Sequence, residues 1–182
     1  MNILETERLS LRELDSAIDA EFIFELLNTP KFLKYIGDRG VRSADEAREF
    51  IVNRYRKSYR EHGYGLYLVQ LRDSLTGEAG TLATARVSAS IGLCGFVKRD
   101  TLPAPDLGFA FLPGFESKGY GFESATAIMQ FGKETLGFSQ VLAITSLDNA
   151  ASIKLLEKLG FAFDRIHTNP EGEDLNLFEK QL

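Results

Sequence analysis

Cysteine and histidine are scarce in this chain of 182 residues, and that scarcity limits the chemistry available to it. Cys94 is the only cysteine, so an intrachain disulfide bond and a cysteine zinc cluster are both excluded. Only His62 and His167 could contribute imidazole ligands. We therefore expect neither a metal site nor a metal cofactor.

Long apolar runs and a surplus of positive charge are also missing. No stretch approaches the length that spans a bilayer, and residues 1–8 contain no basic region followed by an apolar stretch. These features predict a cytoplasmic protein with no membrane partner. The formal net charge of −5 argues against a nucleic-acid partner, because phosphate neutralisation needs clustered lysine and arginine. The negative net charge favours a basic substrate or an amine as the partner.

What the chain does contain is enough apolar material for a substantial core. Hydrophobic residues make up 44% of the sequence, and its length is that of one domain. No linker, internal repeat or low-complexity tract divides it. We therefore expect residues 1–182 to form a single domain, with the oligomeric state open between a monomer and a homodimer.

Apolar periodicity predicts alternating strands and helices. Strands are predicted over 6–12, 64–71, 91–98, 106–112, 141–145, 161–167 and 175–179. Helices are predicted from a cap at Ser16 to Pro30, from the capping-box pattern of 43–46 to Gly63, over 119–136, and over 150–159 before Gly160. Residues 73–89 are expected to form a long excursion, in which 81–87 could still be a strand. The pattern by itself indicates only an α/β or α+β domain.

The most informative segment, 116–123, joins a predicted strand to a long helix. Gly119 and Gly121 lie where this helix begins, so consecutive backbone N–H groups are left bare and point towards one position. Together with the positive end of the helix dipole, they are typical of a phosphate-binding site. The alternative is an ordinary helix start with a tight glycine turn. A dinucleotide fingerprint would need a third glycine, and a kinase-type loop would need Gly-Lys-Ser/Thr.

A resemblance to a known family begins in this segment. Glu116-x-x-Gly119-x-Gly121 resembles Gln/Arg-x-x-Gly-x-Gly/Ala, the loop that holds the pyrophosphate of acyl-CoA in the GNAT acetyltransferase superfamily. The departure is Glu116, because a carboxylate stands where Gln or Arg is usual. We expect Glu116 to point into solvent or to pair with Lys118, since the loop would bind phosphate chiefly through backbone groups.

A second match lies downstream. Asn149-Ala-Ala-Ser152, followed by Glu-Lys-Leu-Gly-Phe at 157–161, resembles the end of the GNAT branch that includes the Rim-type ribosomal-protein N-terminal acetyltransferases. The resemblance covers roughly residues 6–166. It implies an α/β fold with a central mixed, mostly antiparallel sheet, a splayed pair of parallel strands, and helices on the flanks. It also implies acetyl-CoA as the co-substrate.

The resemblance further implies where acetyl-CoA binds. Pantetheine would run along the strand before the glycine loop, and Gly108 in that strand would either form a bulge or only pack closely. Asn149 would contact the pantetheine end, and it is equally suited to cap the following helix. The implied cofactor-binding residues are Ala110, Phe111, Leu112, Lys118, Gly119, Tyr120, Gly121, Phe122, Asn149 and Ser152.

Acetyl transfer from a thioester to an amine needs a neutral amine, a stabilised oxyanion and a proton for the departing thiolate. In the direct transfer that the resemblance implies, the Phe111 N–H would polarise the carbonyl and Ser152 would protonate the thiolate. Many relatives use a tyrosine as the acid, but no tyrosine follows Tyr120 here. Asp106 is the first candidate for the general base and Glu123 the second, although each could instead serve only its own strand end or helix start.

The acceptor is the least specified part of the reaction. Cys94 lies on a predicted core strand and is expected to pack rather than attack, which favours a ternary complex over an acetyl-enzyme. Asp38 and Glu61 could attract a cationic amine or simply contact solvent. The acceptor stays open between a protein N-terminus, a small amine and an amino acid. The alternative function is a non-catalytic module of the same fold that binds or senses acyl-CoA.

Overall fold

The computed structural model describes residues 2–72 and 89–182. Its strands are β1 (Asn2–Glu5), β2 (Leu9–Arg12), β3 (Leu66–Leu71), β4 (Ser90–Val97), β5 (Asp106–Phe111), β6 (Gln140–Ser146), β7 (Ala162–Thr168) and β8 (Asp174–Gln181). Its helices are α1 (Ala20–Leu27), α2 (Pro30–Tyr35), α3 (Ala44–Phe50), a π-helix (Ile51–Arg56), α4 (Lys57–His62), a 3-10 turn (Pro113–Phe115), α5 (Tyr120–Glu134) and α6 (Ala150–Lys158). The possible strand over 81–87 lies outside the described residues.

The strands form one eight-stranded sheet in the order β1-β2-β3-β4-β5-β6-β8-β7. Neighbouring strands are antiparallel throughout, except that β5 and β6 are parallel. This arrangement confirms the predicted mixed, mostly antiparallel sheet with flanking helices. Within the described part of the chain, no helix is both long and apolar enough to cross a membrane.

Two apolar clusters cover the two faces of the sheet. On one face, Ile128 of α5 and Leu156 of α6 are buried against alternate residues of the central strands. On the other face, α1, α3 and the π-helix bury Ile23, Ala47 and Ile51 in a cluster that includes Leu68 and Leu93. Because side chains of a strand alternate between faces, both clusters are anchored in the same strands. The sheet therefore separates an α5–α6 side from an α1–α4 side.

The first helices differ in part from the prediction. Ser16 does not cap α1, which begins at Ala20, because the preceding turn is held by the buried Asp19 carboxylate, which accepts two 2.7 Å hydrogen bonds from Arg12. Pro30 does not simply end a helix. It occupies the first turn of α2, where its missing N–H costs nothing, as Thr29 caps that helix.

Two other predictions of helix and strand ends have clear outcomes. The cap predicted at Ser43 is confirmed, since its hydroxyl accepts from the Glu46 N–H at 3.2 Å, while the Glu46 carboxylate accepts from the Arg42 N–H. The strand predicted over 6–12 is confirmed over Leu9–Arg12, but the chain turns before it. The Thr6 N–H donates to the Leu9 carbonyl at 2.8 Å, which closes a hairpin between β1 and β2.

Gly108 does not form the bulge that its place in β5 suggested. It aligns with Gly95 of β4 in an unbroken register. The closest backbone approach belongs to Gly95, where a Cβ atom would lie 2.1 Å from the Gly65 carbonyl oxygen. That oxygen accepts a hydrogen bond from the Phe96 N–H at 3.0 Å, so it is fixed in place. Gly108 fits the packing alternative, since a Cβ atom there would lie 3.1 Å from Leu66 Cδ2, while the closest approach to backbone is on the neighbouring strand.

This packing predicts that Gly95→Ala lowers the free energy of unfolding by about 3 kcal/mol, because a backbone oxygen cannot yield as a side chain can. Gly114→Ala is the control. A Cβ atom at Gly114 would meet nothing within 4 Å, so its effect should be within about 0.5 kcal/mol. Urea unfolding followed by circular dichroism measures both. Equal midpoints for the two variants would contradict the close approach.

Candidate active site

The gap between β5 and β6 is the feature around which the site is built. The two strands share one aligned pair, Asp106 with Leu142, beside which the Leu142 N–H donates to the Pro105 carbonyl at 2.9 Å. Further along β6, the Ile144 N–H donates at 3.2 Å to Oδ1 of Asp106 rather than to a backbone carbonyl. A side chain thus replaces the backbone acceptor, and the strands separate towards their carboxyl ends.

Backbone groups of β5 face this gap. The Leu112 N–H donates to the Ile91 carbonyl, on the β4 side, at 2.9 Å. Successive N–H groups of a strand point to opposite edges, so the Phe111 N–H points away from β4 and towards β6. The residues expected to contact pantetheine, which surround Phe111, therefore lie along the open edge of β5.

The glycine loop ends in a helix start without a side-chain cap. Gly119 is the N-cap of α5 in a left-handed conformation, with φ of 85°, and no side chain in the described part of the chain accepts from its first turn. Ser117 is also left-handed, with φ of 59°, so the chain turns sharply into the helix. The N–H groups of Tyr120, Gly121 and Phe122 consequently have no acceptor among the described residues, and bare N–H groups at a helix start are typical of anion sites.

Glu123 fastens the N-terminal turn to the start of α5. Its carboxylate accepts hydrogen bonds from the Thr6 hydroxyl at 2.6 Å, the Arg8 backbone N–H at 2.9 Å and Arg8 Nε at 2.6 Å. Arg8 also donates from Nη1 to the Lys118 carbonyl at 3.1 Å and lies over the Tyr120 ring. A guanidinium therefore holds the loop from outside, a role that sequence analysis missed because Arg8 lay in a predicted strand.

These bonds also set the ionisation of Glu123. Burial works to raise its pKa, but the hydrogen bonds from Thr6 and Arg8 outweigh burial and lower the pKa below its ordinary value. A carboxylate that stays ionised and engaged is a weak proton acceptor. Glu123 is therefore better suited to holding the loop than to removing a proton from the amine.

Glu116 was expected to point into solvent or to pair with Lys118, and it does neither. Its carboxylate forms an ion pair with Lys31 of α2. Further along α2, Lys34 forms an ion pair with Asp148, which follows β6, at 2.9 Å. The short helix α2 thus contacts both the loop after β5 and the loop after β6. The expectation failed because Lys31 is distant in sequence.

The start of α6 lies beside the glycine loop. Asn149 caps this helix as predicted, since its side-chain oxygen accepts from the Ser152 N–H at 3.2 Å. A Cβ atom at Gly121 would lie 3.2 Å from Leu155 Cδ2, so this part of α6 packs against the first turn of α5. Ser152 is three residues before Leu155 and therefore shares its face of the helix. Among the described residues, the Ser152 hydroxyl has no hydrogen-bond partner.

Asp106 lies at the point where β5 and β6 part. It is 2% exposed, and Oδ2 accepts from Arg99 Nε at 2.6 Å while Oδ1 accepts from the Ile144 N–H. Burial raises the pKa of this carboxyl group, and the charge and hydrogen bond of Arg99 oppose that rise. Both oxygens are therefore already engaged in holding the geometry of the gap.

The other groups considered for chemistry are also occupied or inaccessible. Cys94 is buried, and burial raises the pKa of its thiol to about 12, so little thiolate is present at neutral pH. Asp38 is paired with Arg42, and Glu61 lies 3.8 Å from Lys57. In residues 2–72 and 89–182, no three side chains of His, Cys, Asp or Glu converge to hold a metal ion.

Residues 8–162 match the family model of the Acetyltransferase (GNAT) domain. The chain is also similar to the uncharacterized N-acetyltransferase YoaA of Bacillus subtilis. The two are 27% identical over 159 residues, which cover 87% of this chain and 82% of YoaA. The family match covers most of the segment over which the two sequence motifs predicted the resemblance.

Solved structures share the fold. The spermidine N-acetyltransferase of Vibrio cholerae, in complex with CoA and spermine, matches with a TM-score of 0.73 and 17% identity over 97% of this chain and 96% of its own. RimL, a ribosomal L7/L12 alpha-N-protein acetyltransferase, matches with a TM-score of 0.75 and 15% identity over 100% of this chain and 94% of its own. At such identities the likeness concerns the fold alone.

The contacts of Glu123 predict that Glu123→Gln lowers the free energy of unfolding by about 1–2 kcal/mol at neutral pH, because an amide cannot pair with Arg8. The folded-state pKa lies below the ordinary 4.5, so the carboxylate's contribution is complete above pH 4.5 and is lost as pH falls through the folded-state value.

Urea unfolding of Glu123→Gln and the unmodified chain, compared from neutral to acidic pH, tests this dependence. The control is Glu157→Gln at an exposed position of α6. The difference in stability between this variant and the unmodified chain should not shrink on acidification. CoA affinity of Glu123→Gln should fall as well, since the loop loses its anchor. A difference in stability that does not shrink on acidification would contradict the assigned role.

Proposed function

The chain belongs to the GNAT acetyltransferase family and is an acetyl-CoA-dependent acetyltransferase, and we propose that it transfers the acetyl group directly to a primary amine in a ternary complex. The observation that carries this proposal is the gap between β5 and β6, which leads to the uncapped start of α5. One end offers strand edges to pantetheine, and the other offers N–H groups to pyrophosphate. In this proposal residues 1–182 act as one domain.

We place the cofactor by these two features. Its pyrophosphate binds the N–H groups of 118–122, which Arg8 and Glu123 hold in place. Its pantetheine runs beside 110–112, where N–H groups alternate towards the gap. The thioester then lies beside the Phe111 N–H, at the open end of the gap, which closes at the Asp106 carboxylate at the other end of β5.

The chemistry follows from this placement. The neutral amine attacks the thioester carbon, and the Phe111 N–H stabilises the oxyanion that forms. The C–S bond then breaks with the electron pair leaving on sulfur, the Ser152 hydroxyl gives its proton to the thiolate, and Ser152 regains a proton from solvent. The amine loses its own proton to water, since both oxygens of Asp106 are engaged. In this scheme Asp106 sets the geometry of the gap instead of serving as the base first expected there.

Acceptor-dependent release of CoA thiol tests the proposal. Acetyl-CoA is mixed with a panel containing a peptide with a free N-terminus, a polyamine and a free amino acid. Thiol release should require an acceptor, and Cys94→Ala should retain most of the activity because the buried thiol takes no part. Trapped acetyl-enzyme with a burst of CoA would contradict direct transfer. Binding of acetyl-CoA without turnover of any acceptor would instead identify a sensing module.

Ser152→Ala should lower kcat by about 10²-fold with a small change in KM for acetyl-CoA, as expected for a proton donor to the leaving thiolate. Asn149→Ala is the comparison on the same helix start. It should cost about 1 kcal/mol of stability through the lost cap and also weaken cofactor binding. Steady-state kinetics with a saturating acceptor measures both variants. Unaltered kcat in Ser152→Ala would reduce Ser152 to a packing residue.

A further inference from the structure

The strand β7 forms one edge of the sheet and is exposed along its length. It has β8 on one side and, within residues 2–72 and 89–182, no strand on the other. Except for the partly buried His167, every residue of β7 is exposed. β7 has seven residues, whereas β1 at the opposite edge has only four. Because an edge strand keeps unpaired N–H and C=O groups, a long exposed edge is a surface to which another strand can add.

The two large apolar side chains of this edge lie on the same face of the sheet. Phe163 aligns with Phe178 of β8. Ile166 aligns with Asn176, two residues away on the same strand. A bulge before Arg165 adds one residue to β7, so side chains three positions apart share a face. The exposed fractions of Phe163 and Ile166 are 55% and 48%, so together they leave an apolar patch open to solvent.

A charged pair lies between the two apolar residues. Asp164 and Arg165 form an ion pair with each other. With Phe163 before them and Ile166 after them, the edge has the order apolar, acidic, basic, apolar. When this order is aligned with itself in the opposite direction, each acidic residue meets a basic one and each apolar residue meets an apolar one. The edge is therefore complementary to a second copy of itself in an antiparallel pairing.

We propose that β7 binds β7 of a second copy of this chain, antiparallel, about a two-fold axis that passes between Asp164 and Arg165. In this register Asp164 lies opposite Arg165 of the second copy, and Phe163 lies opposite Ile166 of the second copy. The two-fold axis repeats each contact, so the dimer has two such charged pairs and two such apolar pairs. Both β7 strands are used in the contact, which closes the assembly at two copies.

The backbone of β7 fits this register. The Asn169 N–H donates to the Glu173 carbonyl at 2.9 Å, in the turn between β7 and β8. Because the N–H groups of a strand alternate between its two edges, the Ile166 N–H points away from β8 and towards the second copy. The bulge weakens backbone pairing near Phe163, so side chains supply much of the affinity and the dimer is weak.

The proposed contact leaves the candidate active site open. β8 separates β7 from β6, so the edge lies beyond β8 from the gap between β5 and β6. Association of two copies through β7 therefore requires neither acetyl-CoA nor an acceptor. It can be tested apart from N-acetyl transfer, and failure of either one leaves the other standing.

Sedimentation velocity of the unmodified chain, from about 1 µM to about 1 mM, measures the association. The mass should rise from the 20.3 kDa of one chain to twice that value and then stop. Hydrogen exchange of the Ile166 amide, followed by NMR, should slow as the dimer forms, because this N–H gains an acceptor. A monomer at every concentration would leave the edge to a different partner and overturn the proposal, as would growth beyond two copies.

Charge reversal tests the register. Asp164→Arg places arginine opposite arginine, and Arg165→Asp places aspartate opposite aspartate. Each variant should raise the dissociation constant by about tenfold or more, because both charged pairs of the dimer become repulsive. The double variant Asp164→Arg/Arg165→Asp should restore the dissociation constant. The control is Asp45→Arg, which removes an exposed ion pair with Arg48 on α3 and should leave the association unchanged.

Mixing the two single variants separates a lost contact from a lost fold. Asp164→Arg and Arg165→Asp, each weakly associating alone, should form a heterodimer together, since each carries the charges that the other lacks. A variant that had failed to fold would not recover in this way, and thermal unfolding of each variant checks the same point. An unchanged dissociation constant in both single variants, or no heterodimer on mixing folded variants, would overturn pairing through β7.

Discussion

The carboxylate of Asp106 is the point on which the site depends. By accepting from the Ile144 N–H, it takes the place of a backbone carbonyl and lets two parallel strands diverge. Burying a carboxylate is costly, and the Arg99 guanidinium and the Ile144 N–H offset that cost. The sheet gains an internal opening whose strand edges are unpaired, which an ordinary parallel pair would not leave. Both proposed ligands are placed relative to that opening.

Fixed positive groups meet at the start of α5, although the chain as a whole carries a net charge of −5. They are the N–H groups of Tyr120, Gly121 and Phe122 and the Arg8 guanidinium, which donates to the Lys118 carbonyl. Fixed donors in a partly desolvated site attract anions more strongly than the same groups in water. Net charge averages over positions and therefore hides such a local grouping of donors.

Several features are determined by the sequence by itself, since they rest on bonds between near neighbours. Ser43 and Asn149 cap their helices through N–H groups in the first turn that follows, so the local pattern suffices to predict them. Gly119 has the left-handed conformation that a glycine at a helix start suggests. The two motifs, read together, predicted the fold family, which the match over residues 8–162 confirms.

Tertiary structure decided what depends on groups far apart in the chain. Arg8 meets Glu123 across 115 residues and Lys31 meets Glu116 across 85, and neither pair leaves a periodic signal. Whether Asp106 is a free base or a bound structural group depends on Arg99 and on the register of β6. Local pattern fixes helix starts because their partners lie within one turn, whereas the ionisation and freedom of a side chain depend on neighbours that only folding brings together.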